Sequence, residues 1–264
     1  MTRIHVVTRR KFVALSALGV AAMATAPRVG GASSQVAAND RLTVALIGCG
    51  KMANDYHIPE LLKQPDVQLV AVCEVDATRR EAAARRINDH YSTNKQDFKG
   101  CDTHADVRHV IARDDIDAVC IATPDHWHAT ALIEACKAGK DVYCEKPLTL
   151  TIAEAHRCVE AARKHERIVQ TGSQQRSNMF GQFREAVEII RSGRLGTIHQ
   201  VTVGVGGPSI PCDLPEEPLE AGLEWDLWLG QAPVRPYHSI LSPRGVHNHF
   251  PAWRSYREYS GGGH

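Results

Sequence analysis

The fold turns on Arg41-Leu42-Thr43-Val44-Ala45-Leu46-Ile47-Gly48-Cys49-Gly50-Lys51-Met52-Ala53. Residues 41–47 form a short apolar run without polar alternation, the pattern of a strand buried on both faces. Gly48-x-Gly50-x-x-Ala53 follows at once, and a helix over 52–63, bent or restarted near Pro59, is expected next. Each position has a physical reason. The first glycine allows a tight turn, the second lets backbone approach a pyrophosphate, and a small third residue lets helix and strand pack closely. The helix N-terminus adds N–H donors and about half a positive charge. Gly48, Gly50, Lys51, Met52 and Ala53 are therefore candidate dinucleotide-binding residues.

A second apolar run, 67–73, ends at Glu74. An acid at that place can bind both ribose hydroxyls of NAD, although it lies slightly beyond the usual spacing of about 20 residues. Its carboxylate repels a 2′-phosphate, which favours NAD; Arg79 and Arg80 keep NADP open.

The same alternation continues outward. Asp76 can cap a helix reaching about residue 90, 91–102 is polar and irregular, and 105–112 reads as a short helix. Strands are expected at 116–122, 141–144 and 168–171. A helix over 127–138 stops at Gly139, and Thr151 with Glu154 forms a capping box for a helix reaching residue 164. Short strands alternating with helices imply right-handed βαβ units and a doubly wound parallel sheet, a Rossmann domain over residues 41–171. The pattern then changes. A helix is expected over 179–191, with Phe183, Val187 and Ile190 on one stripe. Residues 197–205 alternate as a half-buried strand, and 206–222 is Pro/Gly-rich loop. Residues 172–264 thus read as the start of a second α/β domain. Its end in Gly261-Gly262-Gly263 buries nothing, so that domain is expected to be cut short.

Composition narrows the classes. Lys+Arg and Asp+Glu number 31 and 30, a balance that argues against binding nucleic acid by phosphate neutralisation. Eight cysteines in 264 residues are too sparse for a disulfide scaffold, and no zinc spacing occurs. Cys73, Cys120 and Cys144 fall in expected strands, where a thiol behaves as a small apolar group. At the N-terminus, Arg9-Arg10-Lys11-Phe12 precedes an apolar run over 13–26, then small residues. Fourteen residues span about 21 Å, short of the ~30 Å hydrocarbon core. Residues 1–38 therefore read as a cleavable signal of twin-arginine type, with export to the periplasm and no stable membrane anchor.

Two further loops follow expected strands: Thr123-Pro124-Asp125-His126-Trp127-His128 and Glu145-Lys146-Pro147. Ligands of open parallel sheets bind beyond the carboxyl ends of strands, so both loops should converge on the cofactor crevice. His126 and His128 lack a third metal ligand, and no metal is expected. Trp127 reads as helix packing, and His247 and His249 as surface residues.

These loops, with residues 136–148 (CKAGKDVYCEKPL) and 171–177 (TGSQQRS), resemble the Gfo/Idh/MocA oxidoreductase family from residue 41 to 264. The resemblance implies a Rossmann domain joined to an α/β domain with an open, mostly antiparallel sheet. It implies that Thr123, Pro124 and His128 line the cofactor pocket, with Glu145, Lys146 and Pro147 also at the cofactor. Lys146 would sit beside nicotinamide and substrate as a catalytic residue, and the Lys146–Pro147 peptide would be cis. Gln174 and Arg176 fall where the two domains join and would touch substrate or bridge the domains. The family's main Asp/His acid–base pair usually follows a Gly-rich stretch; no pattern here assigns it, and His264 is left without that role. A full-length homo-oligomer is also implied.

Three functions stay open. The first is an NAD-dependent oxidoreductase with tightly held cofactor, acting on a hydroxyl-bearing carbon of a sugar or polyol. The second is an NAD-dependent glycoside hydrolase working by transient oxidation and elimination. The third is a catalytically incomplete cofactor-binding fragment.

Overall fold

The computed structural model describes residues 40–94, 98–176 and 182–262. The leader over 1–38, the start of the helix expected at 179, and His264 lie outside the described residues. One compact unit comprises the described residues of Val36–Gly172 and Thr202–His264; Ser173–Val201 belong to another.

The first unit is built on six parallel strands: β1 (Leu42–Ile47), β2 (Val67–Cys73), β3 (Asp102–His104), β4 (Ala118–Ile121), β5 (Asp141–Glu145) and β6 (Val169–Gly172). Their order is β3-β2-β1-β4-β5-β6. This is the doubly wound Rossmann order, in which the chain reverses direction of growth between β1 and β4 and leaves a crevice there. Successive residues Ala45, Leu46 and Ile47 are all buried, so helices cover both faces, as the unbroken apolar runs required. β3, paired to β2 through Ala71–Cys73, was not foreseen; its Asp-Thr-His sequence carries no strand pattern.

The helices of this unit are α1 (Ile58–Leu62), α2 (Ala77–Thr93), α3 (Val107–Ile111), α4 (Asp125–Lys137) and α5 (Ile152–Lys164). The irregularity expected at Pro59 takes the form of a π-turn over Ala53–His57 that runs into α1, with Ile58 N–H donating to Ala53 O. Proline has no N–H to donate to the i−4 carbonyl, so the ladder must adjust there. Asp76 caps α2 by accepting from Arg79 N at 2.8 Å. The capping box of α5 is complete: Thr151 Oγ1 accepts from Glu154 N, and Glu154 Oε2 from Thr151 N.

Residues 202–262 contain one short helix, α7 (Trp225–Leu229), and a 3-10 turn, Ala252–Ser255. They carry a second core in which Trp225 stacks on Trp228 at 4.7 Å, with Tyr237, Leu241, Trp253 and Tyr259 around them. This core is pinned to the sheet side. Trp127 Nε1 and His126 Nε2 both reach Trp228 O, at 3.0 and 2.9 Å.

The strand expected over 197–205 does not form. Val201, Val203 and Val205 are 74–80% exposed, and no strand partner is present among the described residues. An alternating segment becomes a strand only against a neighbouring ladder, and an isolated strand has no stability of its own. The open antiparallel sheet of the second domain is accordingly not formed among the described residues. Within the smaller unit, helix α6 (Gln182–Arg191) forms as the stripe predicted, yet Phe183, Val187 and Ile190 are exposed.

Candidate cofactor site

A cleft of about 910 Å³, continuous with solvent, lies at the carboxyl ends of β1, β2 and β4, where the strand order reverses. Gly48, Gly50, Lys51 and Met52 line it, as do Glu74, Thr123 and Pro124. Seven of the residues singled out from sequence thus converge on one cavity.

The glycine loop is shaped by its neighbours. Gly48 has φ +90°, and a Cβ there would lie 2.7 Å from the Ala122 carbonyl and 2.8 Å from Thr123 N. No side chain fits between β1 and β4 at that point. A Cβ on Gly50 would meet nothing within 4 Å, so its backbone stands open to a ligand. Asn54, which sequence reasoning did not single out, braces the loop from below by donating to Cys49 O (2.7 Å) and Gly50 O (3.1 Å). Ala53 is fully buried and lets the helix seat against the sheet.

Glu74 is buried at the end of β2. Its carboxylate accepts from Cys49 N at 2.8 Å and Asp76 N at 3.1 Å, and Arg79 Nε lies 3.4 Å away. Arg79 is itself buried and donates to Pro243 O and Ser242 Oγ. Thr123 Oγ1, on the cleft wall, is buried without a hydrogen-bond partner. An orphaned hydroxyl, a glycine loop open at Gly50 and an acid at the end of β2 form a donor and acceptor set that fits a dinucleotide.

The second loop lies at the same edge of the sheet. Glu145 ends β5, and the Lys146–Pro147 peptide is cis. Glu145 is buried and meets His57 Nε2 at 2.9 Å. Burial lowers the proton affinity of the His57 ring, but Cys120 and Glu145 against it raise it by more, to about 10. Lys146 is exposed, and its backbone N–H reaches the Glu145 carboxylate at 3.2 Å. Glu145, Lys146 and Pro147 are not among the cleft-lining residues. Neither is His128, which is buried with Nδ1 2.6 Å from Pro147 O and Nε2 3.0 Å from Thr123 O. It ties the two loops together instead of facing the cleft. Gln174 and Arg176 sit on a 3-10 turn in the other unit, with Arg176 exposed.

The opposite wall comes from residues 227–254, including Leu241, His247, Phe250, Trp253 and Arg254, and Arg79, Asp106 and Trp127 also line the cleft. His247 is therefore a half-buried cleft residue and not a surface one, because the chain from 241 folds back against Arg79. Trp127 both packs and lines the cleft. All four tryptophans of the chain line the cleft or, as Trp225 does, stack on one that does. Aromatic residues in a Pro/Gly-rich, otherwise polar stretch were the available signal.

The family model GFO_IDH_MocA, described as "Oxidoreductase family, NAD-binding Rossmann fold", matches residues 42–173. The chain belongs to the Gfo/Idh/MocA oxidoreductase family. It is 34% identical over 159 residues to inositol 2-dehydrogenase 4 of Saccharopolyspora erythraea, covering 60% of this chain and 43% of the relative. It is 32% identical over 157 residues to inositol 2-dehydrogenase of Salmonella typhimurium, covering 59% and 43%. Among solved structures, the WlbA dehydrogenase in complex with NADH and UDP-GlcNAcA shares 26% identity and a TM-score of 0.51, over 66% of this chain and 44% of that one. A 3-ketoreductase variant from Actinomadura kijaniata, in complex with TDP-benzene and NADP, shares 26% identity and a TM-score of 0.50, over 67% and 48%. The chain spans less than half the length of these Gfo/Idh/MocA relatives. What it shares with them is the NAD(P)-binding Rossmann domain.

Proposed function

We propose that this protein serves an NAD-dependent oxidoreductase reaction at a hydroxyl-bearing carbon of a sugar or polyol, cyclitols included. The observation that carries NAD over NADP is the buried Glu74 carboxylate on the cleft wall, held by the Cys49 amide of the glycine loop. A carboxylate there accepts from ribose hydroxyls and repels a 2′-phosphate. Of the two arginines that kept NADP open, Arg79 is committed to Glu74 and to carbonyls of residues 243 and 245, and Arg80 donates to the Glu74 carbonyl at 2.6 Å.

When bound, the cofactor supplies the hydride acceptor or donor. Gly48, Gly50 and the amides after them would hold its diphosphate, Glu74 its adenosine ribose, and Thr123 Oγ1 an oxygen beyond. The chain's own contribution to chemistry is Lys146, which projects exposed from the end of β5 while its peptide is fixed by the Glu145–His57 pair. An ammonium there can hydrogen-bond a substrate hydroxyl and hold or pass its proton as the carbon is oxidised or reduced. The inositol dehydrogenase relatives support a polyol or sugar as the substrate class.

Calorimetric titration of the protein with NAD and NADP tests the cofactor reading. NAD is expected to bind more tightly, and Glu74→Gln to weaken NAD about tenfold while narrowing the difference. A wild-type protein preferring NADP would remove the NAD assignment. Cofactor reduction with myo-inositol or aldoses, lost in Lys146→Met while NAD affinity stays unchanged, tests the catalytic assignment.

A further inference from the structure

The charges lining the cleft do not balance locally. Of its cations, Lys51 is paired with Asp55, and Arg79 with Glu74 at 3.4 Å and Asp76 at 3.9 Å. Arg254 differs. Among the described residues it forms no ion pair, and its guanidinium donates to Pro251 O at 3.3 Å. It lies 4.8 Å from the Phe250 ring and 4.1 Å from the Trp253 ring. Phe250 in turn lies under Lys51 of the glycine loop, 5.7 Å from its Nζ. Burial pulls the Arg254 guanidinium below its usual proton affinity, while Asp125 and Glu145 attract it from beyond ion-pair distance.

A half-buried guanidinium that packs against two aromatic rings and lines a cleft, with no carboxylate at ion-pair distance, is costly unless an anion completes it. Contact with both rings restricts the side chain, and a guanidinium fork suits bidentate binding of a phosphate. The anion expected in this cavity is the diphosphate over the glycine loop, beside which Phe250 places Arg254. We propose that Arg254 is a further cofactor-binding residue, contributed by the chain that walls the cleft, and that it contacts the dinucleotide's diphosphate opposite the glycine loop. This rests on the dinucleotide reading of the cleft but adds a contact from outside residues 42–173, the span the family model matches. The bound cofactor is then gripped from both sides.

The test is calorimetric titration of the whole chain, wild type, Arg254→Gln and Arg254→Lys, with NAD, ADP-ribose, ADP and adenosine. Arg254→Gln is expected to weaken NAD, ADP-ribose and ADP alike by tenfold or more while leaving adenosine unchanged, with Arg254→Lys in between. Unchanged affinities would overturn the proposal. So would a loss confined to NAD, because the guanidinium would then serve the nicotinamide end. A wild type that binds neither NAD nor ADP-ribose overturns the dinucleotide reading itself, a result distinct from wild-type binding that Arg254→Gln leaves intact. Should Arg254→Gln not fold, hydrogen exchange on the wild type decides. Amides over 250–256 are expected to slow with ADP-ribose and not with adenosine, and equal exchange in both overturns the contact.

Discussion

In the sheet, each strand from β1 to β6 is hydrogen-bonded to a parallel neighbour, and apolar side chains fill both faces of the central strands β1 and β4. Residues 202–262, which complete the cleft, have almost no such ladder. Their isolated bridges are Asp76↔Leu223, Pro208↔Gly262 and Ile210↔Tyr256. Scattered backbone bonds and side chains satisfy their backbone instead. Arg79 caps the carbonyls of Pro243 and Gly245, Arg235 those of Cys212 and Leu214, and Trp225 Nε1 that of Arg235. A ladder spreads its stability over many equivalent bonds, so one substitution removes little of it. A segment held by single side chains concentrates its stability, and Arg79 and Arg235 each serve two or three carbonyls at once.

Trp228→Ala should show this contrast most strongly. Trp228 is buried against Trp225, His126 and Tyr259, and its carbonyl receives both His126 and Trp127. Truncating a buried aromatic of this kind costs about 3–5 kcal/mol. Denaturant unfolding is expected to show that loss. Hydrogen exchange is expected to rise across 202–262 while amides of β1, β4 and β5 keep their protection. Equal loss of protection in both regions would mean that they unfold as one body, and the contrast would fail.

Two buried histidines sharpen the same contrast through pH. His126, which pins the second core, has its pKa pulled down to about 4 by burial, opposed by its bond to Trp228 O and assisted by His128. A depressed value means that the unfolded chain takes up the proton more readily. The stability His126 contributes is therefore present above about 6.5 and is lost as pH falls toward 4, by up to about 3 kcal/mol. His57, on the sheet side against Glu145, is shifted the other way, to about 10. Its contribution is full below 6.5 and is lost as pH rises through 10. His126→Gln is expected to flatten the acid side of the stability profile and leave the alkaline side unchanged. If the acid slope survives the substitution, the lock is not where the pH dependence arises.

How far sequence reached into this molecule follows the same division. Strand β2 and the end of α5 lie where periodicity and capping place them, because their signals are local. The glycine loop was legible for the same reason: strand, turn and helix occur within 13 residues. β3 was missed because its three residues pair at an edge and need no apolar pattern. The strand expected at 197–205 had the pattern but lacks a partner. Arg254 and His247 could not be placed on the cleft by any periodicity. They reach it because Arg79, more than 160 residues earlier, holds the carbonyls of 243 and 245. The cofactor rim built from the sheet is thus written in adjacent residues, and the opposite rim in contacts between distant ones.

The smallest effect tests whether legibility and energy run in opposite directions. The capping box of α5 was readable from Thr151 and Glu154 alone, and both hydrogen bonds are made, at 3.2 and 2.9 Å. Thr151 is exposed, however, and a cap of this kind contributes about 1 kcal/mol. Thr151→Ala should therefore lower the urea midpoint slightly, with an unchanged slope and unchanged NAD affinity, because α5 connects β5 to β6 and does not line the cleft. Glu154→Gln should cost less still. Its side-chain oxygen can still accept from the amides of Leu150 and Thr151, and only the favourable charge at the helix N-terminus is lost. If Thr151→Ala instead cost as much as Trp228→Ala, the sheet side would also depend on single locks. Its tolerance to substitution would then have to be sought in the strands alone.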